Sequence, residues 1–185
     1  MPKGNSEHSI LKIASNLAMA SLVSGLVIAA VYYVTAPVAA QKAEQMKQES
    51  MKALIAAADS FAELDGYEGV FAAQQDGRTI GYIVPSETKG YGGRIKMLVA
   101  VTADKKVIDF KILEHNETPG LGDNAQKPAF RRQFAGKGRE SLVVTKDPAD
   151  TENIQAMTGA TISSRAVAQG VAQAVETVAA ITGGK

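Results

Sequence analysis

From Ile13 to Gln41 the chain carries no charged residue, and no other feature restricts its fold so strongly. The apolar part, IASNLAMASLVSGLVIAAVYYVTA (Ile13–Ala36), is about 24 residues long. As a helix rising about 1.5 Å per residue, it covers a hydrocarbon core of about 30 Å. Tyr32 and Tyr33 suit the far interface. A cleavable signal peptide is the rival reading, with small residues in PVAAQ, but signal cores run to about 7–15 residues and this one is longer. The segment is therefore expected to be an uncleaved anchor. Charge does not orient it: Lys3 and Lys12 precede the span, and Lys42, Lys47 and Lys52 follow it among Glu44 and Glu49.

Beyond Pro37, QKAEQMKQESMKALIAAADSFAEL repeats apolar residues at helical spacing (Met46, Leu54, Ala58, Phe61, Leu64), which predicts a helix connecting membrane to soluble domain. GVFAAQQDGRTIGYIVP then places Asp76-Gly77 between two β-prone runs, a hairpin signal. In RIKMLVAVTADKKVIDFKILEH, Ile95, Met97, Val99 and Val101 alternate, a polar turn follows, and Val107, Phe110 and Ile112 continue a second antiparallel pair. A short helix is expected around Gln126–Phe134. A longer one from about Ile162 carries the stripe Val167, Val171, Val175, Val178. The expected fold is α+β, an N-terminal single transmembrane helix followed by an antiparallel sheet with packed helices. Its divisions are a head at 1–12, a transmembrane helix at 13–36, a connecting helix at 37–65 and a soluble domain at 66–182.

Composition narrows the chemistry. Lys+Arg 20 against Asp+Glu 19, without a basic block, argues against a nucleic-acid partner. Cys 0 excludes disulfides, thiolate zinc and cysteine-held iron–sulfur clusters in this chain, and His 2 makes a multi-histidine metal site improbable. Any electron handling must rest on an organic cofactor.

Three loops hold more glycine and unusual side chains than plain connections need. KGYGGRI (Lys89–Ile95) also reads as a flexible link, and HNETPGLGDNAQKPAF (His115–Phe130) also reads as a surface turn. In AMTGATISSRAV (Ala156–Val167), Gly159 and Ala160 let a ligand approach the main chain at a helix start. The free amides and the dipole there favour a phosphate. The alternative is a plain N-cap, with Thr158 or Thr161 as the capping residue.

TGATIS resembles the flavin attachment motif of the FMN-binding domain family, Ser/Thr-Gly-Ala-Thr followed one residue later by Ser/Thr. KGYGGRIKMLVAVTADKKVIDFKILEHNETPGLG is similar to the family's other characteristic stretch, in the same order. Gln155 stands where the family often has an acid, and Ser163 where it often has threonine. Within the family this compact chain resembles the G subunits of Rnf complexes more than the longer C subunits of the sodium-pumping NADH:quinone reductase. A flavin-free structural or assembly module of the same fold is a further alternative.

The resemblance implies a one-flavin electron relay between ferredoxin and NAD branches, coupled to sodium or proton translocation. It implies one anchoring helix in the cell membrane, a soluble domain outside the cytoplasm, and other membrane and iron–sulfur subunits as partners. It also implies FMN joined through its phosphate to Thr161 by a separate flavin transferase, with Thr158, Gly159 and Ala160 lining the phosphate. For the isoalloxazine ring, Leu121 is expected to give cover, Thr118 a polar contact, Gly120 and Gly122 close backbone approach, and Tyr91 the other side. Glu117 is expected to brace its loop and not to touch the ring, because a carboxylate repels an anionic flavin. The turn at Thr118–Gly122 is thus expected to fold against the flavin held by Thr161.

Overall fold

A computed structural model describes residues 5–183, with side chains from Ile10 onward. Lys3, with the rest of residues 1–4 of the head, and the last two residues of the TGGK tail lie outside the described residues. The chain divides into two compact units, with the boundary between Met46 and Lys47.

The first unit is the N-terminal part of helix α1 (Asn5–Leu54). Its large apolar side chains, among them Leu17, Leu22, Leu26, Ile28, Val31 and Val34, are exposed. A helix that is apolar all round has lipid as its natural solvent. Among the described residues it is the one helix long and apolar enough to cross a membrane. The two helices expected on either side of Pro37 are a single helix with Pro37 inside it. Proline removes one backbone donor and frees the carbonyl four residues earlier. Near that gap the Thr35 hydroxyl donates to the Val31 carbonyl at 2.8 Å.

The second unit is a five-stranded antiparallel sheet in the order β1-β2-β3-β4-β5: β1 (Ser60–Glu63), β2 (Phe71–Gln75), β3 (Arg78–Lys89), β4 (Arg94–Val101) and β5 (Val107–Glu114). Both expected hairpins form. The Asp76-Gly77 turn has both residues at positive φ, as a two-residue hairpin requires. Strand β4 is buried on both faces. Ile95, Met97, Val99 and Val101 join the cluster beneath the C-terminal helix α3 (Thr161–Gly183). Leu98 and Ala100 join Met51, Leu54 and Ile55, from the end of α1 and just beyond it, on the opposite face.

The helix expected to run to residue 65 stops at Leu54, and Ser60–Glu63 forms the edge strand β1 instead. Helical propensity loses here to pairing: Phe61 lies opposite Ala73, and the Asp59 amide donates to the Gln74 carbonyl at 2.7 Å. Phe61 packs on the α1 cluster and Leu64 on the α3 cluster. Residues three apart face opposite sides of an extended chain, so the spacing read as helical serves two faces of a sheet.

Helix α3 carries the expected buried stripe Val167, Val171, Val175, Val178. It lies close on the sheet, since a Cβ at Gly170 would stand 2.9 Å from Ser86 Oγ and 3.0 Å from Met97 Cε. The short helix expected near Gln126–Phe134 is broken into a 3₁₀ turn at Gly122–Gln126, helix α2 (Pro128–Arg131) and a second turn at Arg132–Phe134. Pro128 accounts for the break, because its ring suits only the first turn of a helix. Phe134 meets Phe110 edge-on at 5.0 Å and so fixes these turns to β5. A two-stranded parallel pair, β6 (Val144–Thr145) and β7 (Ile154–Gln155), was not foreseen. Strand β7 feeds directly into the segment that opens α3.

Candidate functional site

The turn before α3 explains how the helix start is exposed. The Ala160 amide donates to the Met157 carbonyl at 3.0 Å, and Gly159 holds φ 74 at the third position of that turn. Only glycine takes this conformation without strain. Ala160 then occupies the N-cap position, its carbonyl accepting from the Ser164 amide at 2.9 Å. Alanine has no side-chain oxygen with which to cap. The Ser164 hydroxyl accepts from the Met157 amide at 3.0 Å and donates to the Ala160 carbonyl at 2.9 Å, so it too is spent outside the first turn. Among the described residues, no protein acceptor meets the amides of Thr161, Ile162 and Ser163. The capping alternative for Thr158 and Thr161 does not occur here.

Beside this helix start lies a cleft of about 620 Å³, lined by Tyr91, Thr118, Leu121, Gly122, Lys146, Gly159, Ala160, Thr161, Ile162 and Ser163. Loops some 40 residues apart in sequence therefore meet, as expected. Leu121 closes the contact: a Cβ at Gly159 would stand 3.2 Å from Leu121 Cδ2. The expected site residues Tyr91, Thr118, Leu121, Gly122, Gly159, Ala160 and Thr161 all line the cleft; Thr158 and Gly120 do not. Gly120 serves a tight turn at φ 77, in which the Leu121 amide donates to the Thr118 carbonyl at 3.1 Å. Thr158 is exposed beside the cleft.

Beneath the cleft the loops are knotted around Glu117, which is buried. Its carboxylate accepts from the Gly92 amide at 2.9 Å, the Tyr91 amide at 3.3 Å and the Ser163 hydroxyl. Three loops share one acceptor, and the acid braces them as its sequence context suggested. The glycines crowd against it. A Cβ at Gly90 would lie 2.3 Å from Glu117 Oε1, and one at Gly122 would lie 2.7 Å from Oε2 and 2.6 Å from Ser163 Oγ. A Cβ at Gly92 would stand 1.9 Å from the Asn116 carbonyl oxygen. These glycines are fixed by the protein's own packing, so the close approach expected of Gly122 is to Glu117 and Ser163.

Lys146, Ile162 and Ser163 were missed as lining residues. Ile162 had a signal, a large apolar residue beside a helix start, and it is 54% exposed. Ser163 lay inside the motif. Lys146 had none, because only the β6–β7 pairing brings it to the cleft.

The FMN-binding domain family matches residues 90–176, a span that holds the second and third loops and all of the first but Lys89. Over 185 residues and the full length of both chains, the sequence is 54% identical to the G subunit of the proton-translocating ferredoxin:NAD(+) oxidoreductase complex of Clostridium ljungdahlii. This chain belongs to the family of G subunits of ion-translocating oxidoreductase complexes. With another such protein, from Methanosarcina acetivorans, it shares 31% identity over 189 residues, covering 94% of this chain and 97% of the relative. The C subunit of the Na(+)-translocating NADH-quinone reductase from Parabacteroides distasonis, a solved structure, aligns with 61% of this chain and 60% of its own at 26% identity and a TM-score of 0.49. For this family member, the cleft's residues fit the cofactor that the domain binds. Unpartnered amides suit a phosphate, Leu121 and Ile162 offer exposed apolar surface, and Thr118 and Tyr91 add polar atoms.

Proposed function

We propose that this chain is the membrane-anchored electron-transfer subunit of an ion-translocating ferredoxin:NAD(+) oxidoreductase, with FMN esterified through its phosphate to Thr161. One observation carries the attachment: Thr161 lines a cleft at a helix start whose first amides have no protein partner among the described residues. Bound FMN supplies the electron-carrying capacity that this chain's side chains lack.

The chain's own residues bind and orient. Thr161 would give the ester oxygen: with an FAD donor on a flavin transferase, its Oγ would take the FMN phosphoryl group, AMP would be the leaving group, and the hydroxyl proton would pass to solvent. The amides of Thr161, Ile162 and Ser163, with the helix dipole, face the phosphodiester charge. Gly159 and Ala160, which line the cleft, would lie against the phosphate, with Thr158 exposed beside it. Leu121 would cover the ring and Thr118 would make a polar contact, on a loop that Gly120 and Gly122 shape. Tyr91 would close the other side.

Partners follow from this role: membrane and iron–sulfur subunits that pass electrons to and from the cleft, and the flavin transferase that loads it. Purified after co-expression with a flavin transferase and denatured in acid, the polypeptide should stay yellow. Colour released to the supernatant would contradict the covalent bond, and a colourless preparation would favour a flavin-free module of this fold.

The anchor is uncleaved, in keeping with a charge-free span longer than signal-peptide cores, and the soluble domain lies outside the cytoplasm, a side that only the resemblance to the family supports. A C-terminal reporter active only in the cytoplasm should stay silent, and the intact mass should retain the N-terminus. Strong reporter activity would reverse the topology.

A further inference from the structure

Of the residues lining the cleft, Lys146 carries the one formally charged side chain. Its place is set by backbone bonds on both sides. The preceding residue, Thr145, accepts the Ala156 amide at 2.9 Å, and the following residue, Asp147, accepts the Gln155 side-chain amide at 2.7 Å. Gln155 also reaches the Asp150 carbonyl at 2.6 Å, and its own amide donates to Gln133 Oε1 at 2.7 Å. The segment that delivers the chain to Thr161 thus also holds the loop bearing Lys146.

Carboxylates lie nearby, but they are engaged elsewhere. Asp147 accepts the Ala149 amide at 2.9 Å. Asp150 accepts the Asn153 side chain and the amides of Asn153 and Glu152, and the Asn153 contacts hold its carboxyl below the ordinary range. Among the described residues Lys146 forms no ion pair. Glu117, the acid behind the cleft, is satisfied by Tyr91, Gly92 and Ser163. Lys146 is thus an exposed cation at the edge of the cleft, its backbone held on both sides and its side chain paired with no carboxylate among the described residues.

We propose that Lys146 faces the FMN and sets its redox balance by favouring the form that carries more negative charge. This rests on the attachment at Thr161 proposed above. An electron taken up without a proton adds one negative charge to the cofactor, and a nearby ammonium stabilises that charge and raises the midpoint potential.

The test is a potentiometric titration of flavin-loaded wild type, Lys146→Gln and Lys146→Arg at low and high ionic strength, with loading measured by intact mass. Lys146→Gln should load as wild type does yet titrate at a more negative potential. Lys146→Arg should restore the wild-type value, and added salt should shrink the difference. Equal potentials for wild type and Lys146→Gln at low salt would overturn the proposal. Reduced loading at an unchanged potential would overturn it too, moving the lysine's role to attachment. Wild type that acquires no covalent flavin would instead overturn the attachment reading on which this one stands.

Discussion

Two neighbouring regions of the cleft are built on opposite rules. Around Glu117 the polar groups are paired: a buried carboxylate meets two loop amides and a hydroxyl, and three glycines leave no room for a side chain. Two residues from Ser163, at Thr161, the helix start leaves its amides open and puts alanine where a capping side chain would stand. Buried polar groups left unpaired are costly, so a saturated cluster is architecture. An unsaturated one at a cleft is a place prepared for something else. The difference separates residues that hold the site from residues that would hold its occupant.

The comparison breaks most visibly at the saturated end. Glu117→Ala removes the shared acceptor and strands the Gly92 amide and the Ser163 hydroxyl, with an expected loss of about 2 kcal/mol in chemical denaturation. Glu117→Gln keeps an acceptor and should lose less. An alanine variant as stable as wild type would show that the knot is ornamental. At the open end, Leu121→Ala should sharpen the contrast, because Leu121 is 42% exposed. Stability should move by less than about 0.5 kcal/mol. The covalent flavin should remain while its absorption or potential shifts, since cover is lost and attachment is not. An unchanged spectrum and potential would remove Leu121 from the ring's surroundings.

Legibility in the sequence divides along the same line. The sheet was readable because alternation and the Asp76-Gly77 turn are local signals, and the α3 stripe because its period is helical. The cleft's membership was largely readable because small residues, a Thr-Pro-Gly turn and a helix start lie in short motifs. What escaped depended on distant partners. Strand β1 formed against helical propensity because β2 offered an edge. Lys146 reached the cleft through the β6–β7 pair, two residues long on each side and too short to leave a pattern. The reason for Gly90, Gly92 and Gly122 was hidden for the same cause. Their glycine content was plain, but what they make room for, the Glu117 carboxylate at Gly90 and Gly122 and the Asn116 carbonyl at Gly92, is brought beside them only by the folded loops.

The most direct test of the account is intact-mass spectrometry of denatured Thr161→Ala beside wild type, both co-expressed with a flavin transferase. Thr161 begins α3 and makes no side-chain hydrogen bond among the described residues, so the variant should fold with stability within about 0.5 kcal/mol of wild type. Wild type should carry the added mass of one FMN joined as a phosphoester, and Thr161→Ala the mass of the bare polypeptide. Equal flavin mass on both proteins would contradict the attachment at Thr161.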